Sequence, residues 1–364
     1  MNERLVVVYE IAGPSPRDVV DAIRVEQTIE FPYELAPAWI QETVVGRVED
    51  EDGSRITVSY AAEVLGGGLV QLLNVVWGNV SLYEGVRVVG LELPDAVLAA
   101  LPGPRFGVPG LRELLGAPDR ALLATALKPM GRSAVELAAD ATTIASAGFD
   151  VVKDDHGLAD QPWARWEERV TRCAEAVAEA NARTGGRTLY MPALNVPSTE
   201  LIDRAHRAKE LGAGALLVLP GLVGFDGLRA LAADGELALP LMTHPSMLGS
   251  TVVNPGQGIR HGLLLGLLCR VAGADMCIFP NLGGRFSFTP EQCADIRDEC
   301  TRELPGVPAA FPAPGGGMAV ERVPELLDFY GPDVTLLVGG ALHRGDLAGN
   351  ARAVRERVDE AARA

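Results

Sequence analysis

The sequence predicts an α/β protein with a carboxy-terminal (β/α)8 TIM barrel and an amino-terminal α+β domain. Three observations carry this. After a Pro/Gly-rich hinge at 101–110, apolar runs and amphipathic stretches alternate strictly to the end of the chain. Eight such repeats in about 240 residues is the size of a TIM barrel. Several of the runs end in polar or glycine-rich clusters, where a barrel keeps its chemistry.

The barrel strands are expected at 121–128, 149–153, 187–193, 214–219, 239–244, 274–279, 308–313 and 333–338. They are short and mostly apolar, as strands buried on both faces are. Amphipathic stretches at 134–147, 163–183, 199–211, 258–272, 290–301 and 347–362 supply helices. Ahead of the hinge, the pattern reads strand 5–10, helix 16–27, then strands at 43–49, 55–61, 69–76 and 86–92, with turns at Asp52-Gly53 and at Gly66 to Gly68. The chain therefore divides into 1–115 and 116–364. A doubly wound open sheet is the alternative fold, but no glycine-rich dinucleotide turn follows the first strand.

A net charge of -16 argues against a nucleic-acid partner, since phosphate backbones demand clustered Lys and Arg. Five cysteines without a CxxC pair suggest buried, reduced thiols and a cytoplasmic setting. The amino terminus is too short for a signal peptide, and the apolar segment 262–269 falls short of a membrane span. No membrane role is expected.

Of 32 basic residues only Lys128, Lys153 and Lys209 are lysines, so arginine serves wherever charge alone is needed. Lys128 and Lys153 end the first two barrel strands, and an amine, unlike a guanidinium, can lose its proton and act as a base or nucleophile. Ordinary ion-pairing lysines are the plain alternative. Lys153 opens the cluster Lys153-Asp154-Asp155-His156. Alternation turns Lys153 and Asp155 to one side, which suits joint ligation of a divalent metal. A bare ammonium cannot ligate, so Lys153 must be neutral or carry CO2 as a carbamate, whose hard oxygens suit Mg2+. Direct ligation by His156 would shift preference toward Zn2+ or Mn2+.

His244, ending the fifth barrel strand, is a candidate base or phosphate donor, or equally a structural histidine. Gly316-Gly317 and Gly339-Gly340 follow strands seven and eight, where barrels commonly bind phosphate through backbone N–H groups. GxSxG, HExxH and P-loop motifs are absent from the sequence.

Several longer motifs resemble the RuBisCO superfamily, and more closely its non-carboxylating branch, the RuBisCO-like proteins. They are Pro104-Arg105-Phe106-Gly107, Ala126-Leu127-Lys128-Pro129-Met130-Gly131, and the run from Phe149 to His156 continuing into Asp160-Gln161-Pro162-Trp163-Ala164-Arg165-Trp166. The loop from Gly273 to Arg285 and the two glycine pairs complete the set. The resemblance implies a ferredoxin-like amino-terminal domain and a head-to-tail homodimer in which that domain completes the neighbour's site through Glu26 and Asn79. It makes Lys128 a proton-transfer lysine, Lys153 the carbamylated lysine, and Asp155 and His156 metal ligands.

Departures from the family pattern narrow the chemistry. His156 replaces a glutamate, Pro245 and Leu248 replace an arginine and a histidine, Phe279-Pro280 replaces another histidine, and Gly315 replaces a serine. These losses remove groups that would hold a second phosphate, so the resemblance implies a substrate with one. Arg285 is the nearest cation to the family's mobile lysine, and an always-protonated guanidinium replaces it poorly. Carboxylation of ribulose bisphosphate is not expected.

The expected function is metal-dependent enolisation and isomerisation of a singly phosphorylated ketose, with 5-methylthioribulose 1-phosphate of sulfur salvage as first choice. Alternatives are a 2,3-diketo-5-methylthiopentyl-1-phosphate enolase, a decarboxylase of the 3-oxo-isoapionate-4-phosphate type, and a non-catalytic sugar-phosphate-binding protein. Met130, Phe279 and Leu282 are candidate apolar contacts for a methylthio tail, and equally good core residues.

Overall fold

In the computed structural model, which describes residues 4–13, 15–286 and 288–363, all eight expected barrel strands form. They are β5 (Leu122–Leu127), β6 (Val151–Asp154), β7 (Leu189–Met191), β8 (Leu216–Val218), β9 (Leu241–Thr243), β11 (Met276–Pro280), β12 (Phe311–Gly315) and β13 (Thr335–Val338). All neighbours pair in parallel, in the order β7-β6-β5-β13-β12-β11-β9-β8. The Leu217 N–H donates to Pro192 O and the Leu194 N–H to Leu217 O, each at 3.0 Å, so β7 and β8 close the ring. That closure excludes the open doubly wound sheet.

Period-2 alternation sorts the strand side chains. Leu122, Ala124, Val151, Met191, Ala193, Leu217, Met242, Met276, Ile278, Phe311 and Ala313 share one buried cluster. Their alternates, including Leu123, Val152, Tyr190, Leu216, Val218, Cys277 and Phe279, belong to the larger core with the surrounding helices. Helix Gly107–Leu115 adds Val108, Leu111 and Leu115 to the inner cluster and stoppers the amino-terminal end of the barrel. The interior is packed, which leaves chemistry only at the carboxyl rim.

The amino-terminal part is an α+β unit. Strands β1 (Arg4–Ile11), β2 (Arg47–Asp52), β3 (Arg55–Ala61) and β4 (Val86–Glu92) pair antiparallel, with β1 between β3 and β4. Its burial alternates residue by residue, as a half-buried strand requires. The two-residue strand β10 (Gly258–Ile259) adds in parallel to β4 and ties this sheet to the barrel.

Three expectations need correction. Residues 69–76, read as a strand, form helix Leu69–Trp77: the buried Leu69, Leu72, Val75 and Val76 recur at helical spacing, and a short apolar run does not by itself separate strand from helix. The strand placed at 43–49 starts only at Arg47, because helix Ala38–Thr43 precedes it. The helix expected at 258–272 opens instead with β10 and continues as a π-helical segment, Gly262–Leu268. There Gly262 and Gly266 lie against helix Pro290–Thr301, at Asp295 and at Glu299 and Ile296, where a β-carbon would collide.

Asp275 joins hinge to barrel. It is fully buried and accepts hydrogen bonds from Phe106 N and Gly107 N, each at 2.8 Å, and from Leu241 N at 2.9 Å. Burial pushes its pKa up to about 6 against those three donors. Asp275→Ala would strand three buried amides, and a loss of roughly 2–4 kcal/mol is expected in urea unfolding. An unchanged midpoint would show that the hinge is held by other contacts.

All five cysteines are buried and unpaired as disulfides. Among the described residues no helix is long and apolar enough to cross a membrane.

Candidate active site

The end of β6 divides its polar residues between two environments. Asp154, wholly buried, faces helix Trp166–Thr184: Arg169 Nε donates to it at 3.2 Å, Tyr190 Oη at 2.8 Å and Ala193 N at 3.2 Å. Lys153 lies on the opposite face, two residues after the inward-packed Val151, and only 1% of it is exposed. Its Nζ donates to Asp154 O at 3.0 Å. Burial, helped by the nearby charge of Lys128 and opposed by Asp155 and Asp154, lowers its pKa to about 8. A substantial neutral-amine fraction therefore exists at ordinary pH.

Asp155, just past the strand, receives Lys128 Nζ at 2.5 Å from the end of β5. Partial burial alone would raise its pKa, but hydrogen bonds from His156 and Lys128 and the charges of Lys128 and Lys153 hold it well below the usual carboxylate range. Lys128, Lys153 and Asp155 thus meet as one electrostatic cluster.

The histidines join it. The rings of His156 and His244 stack, with centroids 4.2 Å apart and 12° between planes, and His156 Nδ1 lies 3.4 Å from Asp155 Oδ1. His244 Nδ1 accepts from the Ser246 backbone N–H at 3.3 Å and lies 2.9 Å from Ser246 Oγ, which assigns its proton to Nε2. Burial, then the charges of Lys153 and His156, pushes its pKa far down. Neutral, the ring can donate a hydrogen bond through Nε2–H but brings no positive charge to a phosphate. Asn195, after β7, holds the His156 loop by donating to His156 O at 2.7 Å and Leu158 O at 3.0 Å.

Gly316 and Gly317 follow β12 with φ of +93° and +66°, conformations that favour glycine. Gly317 rests on Gly283 and Gly284, so the loops after β11 and β12 touch. Gly339 and Gly340 follow β13, and a β-carbon at either would meet nothing within 4 Å. Arg285 is exposed and stacks on Phe286, 4.8 Å from the ring centroid. The cation that reaches the glycine loops is Arg322, whose Nη1 donates to Gly317 O at 3.1 Å and Leu282 O at 3.3 Å. Sequence reading missed it because nothing marks one arginine in a helical stretch as returning to a loop some 40 positions earlier.

Asn281, just past β11, is structural: it is buried and accepts from Tyr330 Oη at 2.7 Å. Phe279 is wholly buried and Leu282 packs on the core, whereas Met130 is half exposed. Glu26 and Asn79 meet each other, Asn79 Nδ2 donating to Glu26 Oε1 at 2.9 Å, on the surface of the amino-terminal unit.

Residues 107–362 match the family model of the ribulose bisphosphate carboxylase large chain, catalytic domain. The chain belongs to the RuBisCO family. Within it the chain is a RuBisCO-like protein, similar to ribulose bisphosphate carboxylase-like protein 1 of Rhodopseudomonas palustris, at 38% identity over 94% of this chain and 93% of that one. It is 36% identical to the 5-methylthioribulose-1-phosphate isomerase of Rhodospirillum rubrum, over 94% of this chain and 92% of that one. A 2,3-diketo-5-methylthiopentyl-1-phosphate enolase of Bacillus pumilus is 35% identical over 84% of this chain and 76% of its own. Among solved structures, a Rubisco-like protein from Rhodopseudomonas palustris superposes with a TM-score of 0.88 at 36% identity, over 99% of both chains. An octameric Rubisco from Pyrococcus horikoshii gives 0.90 at 27%, over 99% of this chain and 88% of that one.

Whether the RuBisCO-like site fits a metal turns on its donors. Among the described residues no three His, Cys, Asp or Glu side chains group as a metal site. Asp155 supplies an ionised carboxylate and His156 a ring nitrogen beside it, so a third protein ligand has to come from Lys153. The amine itself is cationic or a poor ligand, but as a carbamate it would complete a set suited to a hard divalent ion. The fit is conditional on that one modification.

Proposed function

We propose that this RuBisCO-like chain enolises and isomerises a singly phosphorylated ketose, with 5-methylthioribulose 1-phosphate as first-choice substrate. The observation that carries the reading is Lys153: a wholly buried amine beside Lys128 and Asp155, with its pKa brought down to about 8. Structural lysines have no use for such surroundings; proton chemistry and CO2 uptake both do.

Asp155, His156 and Lys153 as its CO2 carbamate would hold Mg2+, with Mn2+ or Zn2+ as alternatives because of His156. Such an ion supplies positive charge for the ketone oxygen when bound. The chain's own groups do the rest. Lys128 Nζ, set by Asp155, moves the proton next to the carbonyl, and His244 Nε2–H donates to a substrate oxygen. Backbone N–H groups at Gly316, Gly317, Gly339 and Gly340 take the single phosphate, with Arg322, which reaches Gly317 O, as the cation beside them.

The partner in this reading is a second copy of the chain, as a homodimer or larger assembly. Phe31, Leu35 and Trp39 are 48%, 66% and 63% exposed, an apolar surface suited to burial against another subunit. Glu26 and Asn79 would enter the neighbour's barrel mouth from there.

The test is a solvent-deuterium experiment with 5-methylthioribulose 1-phosphate, bicarbonate and each metal in turn. Deuterium should wash into the carbon beside the carbonyl. Because the neutral amine appears as pH rises through the folded pKa of Lys153, the initial rate should climb and level off above about pH 8. A rate that stays flat across about two pH units centred on that pKa would remove Lys153 from the reaction. Exchange confined to the diketo compound would instead favour the enolase reading. The coverage of the relatives favours the isomerase, matched over 92% of its length against 76% for the enolase.

A further inference from the structure

Met247 stands where a side chain is least at ease. The Leu248 N–H donates to Pro245 O at 3.0 Å and closes a four-residue turn. Met247 is the third residue of that turn, with φ of +66°, a position glycine usually fills. The same turn carries the Ser246 N–H that sets the His244 tautomer. The strained residue is also 71% exposed, so no core contact compensates it. Backbone strain of this kind clusters at ligand sites.

Its surroundings say which part of a ligand it meets. Gly221, in the loop after β8, packs against this turn, 3.1 Å from Met247 Cβ to where a β-carbon would stand. The next residue, Leu222, is 55% exposed. Two exposed apolar side chains, Met247 and Leu222, therefore rise from loops that meet at the rim above the fourth and fifth barrel strands. In the closed order of strands the glycine pairs follow the seventh and eighth, and Lys128 and the Lys153 cluster the first and second. A ligand with its phosphate on the glycines and its carbonyl at Lys128 would extend its remaining end across the mouth toward the fourth and fifth strands, where this corner lies.

We infer that Met247, with Leu222 beside it, is the contact that selects the apolar end of the substrate, a thioether-bearing carbon chain rather than a second phosphate or carboxylate. This rests on the function proposed above. A flexible, polarizable thioether adapts its shape to an apolar group laid against it. Met247 is a specificity residue; it touches no group that moves a proton.

The experiment compares the parent chain with Met247→Gly, a change that removes the thioether and relieves the backbone. Substrates are 5-methylthioribulose 1-phosphate and its desthio analogue, 5-deoxyribulose 1-phosphate. The ratio of their kcat/KM values should favour the thioether in the parent and fall about tenfold in the variant, with a thermal midpoint no lower than the parent's. An unchanged ratio, or an equal loss on both substrates, overturns the inference. Calorimetry with the inert reduced forms, 5-methylthioribitol 1-phosphate and 5-deoxyribitol 1-phosphate, separates this from the proposed chemistry. A thioether preference lost in Met247→Gly supports the contact even if the parent exchanges no proton, whereas an active parent without any preference overturns the contact alone.

Discussion

Lys153→Ala is expected to reduce deuterium wash-in by about 10²–10⁴-fold, the usual contribution of a positioned acid–base group. The reasoning starts from burial. The Lys153 amine is 1% exposed and bonded to a single carbonyl, Asp154 O, so removing it takes away no bond that the helices or strands need. What it does remove is the group that lowers Asp155 from one side, the neutral amine fraction near pH 8, and the third donor of the metal set. Activation by bicarbonate should vanish together with exchange. Circular dichroism of the variant should show a folded barrel; wash-in within tenfold of the parent, from a folded variant, would mean that Lys153 is a structural lysine.

The second large effect is on stability, one residue further along. Asp154→Ala is expected to cost about 3–5 kcal/mol in urea unfolding, because Arg169 would be left charged and wholly buried. Arg169 keeps two carbonyl acceptors, Ala159 O and Ala164 O, each at 2.8 Å, but no other ion pair is seen for it among the described residues. Tyr190 Oη and Ala193 N lose their acceptor as well. Adding Arg169→Met should recover part of the loss, since an apolar pair of similar volume avoids the unpaired charge. A loss below about 1 kcal/mol for Asp154→Ala would mean that water reaches Arg169.

These two neighbours show how far a linear pattern can be read. That β6 ends in four polar residues, and that alternation turns Lys153 and Asp155 one way, was legible because strand periodicity is local. The role of Asp154 was not, since its partners Arg169 and Tyr190 come from the next helix and the next strand. The eight barrel strands were legible for the same reason as β6: doubly buried parallel strands are continuous apolar runs, and few other elements are so short and so apolar. The helix Leu69–Trp77 was misread because a run of nine residues with seven apolar ones does not by itself separate strand from helix, and only tertiary packing decides between them.

By itself, then, the sequence determined the barrel, the family and the cluster of Lys128, Lys153, Asp155 and His156, because each is written in residues close together or in recurring runs. Tertiary structure alone decided that His244 stacks on His156 as a neutral ring, that Arg322 rather than Arg285 reaches the glycine loops, and that Met247 is held exposed on a strained turn. Those features depend on loops from different strands meeting at the rim, and on the burial and charge each side chain finds there. Neither quantity exists until the ring of strands has closed.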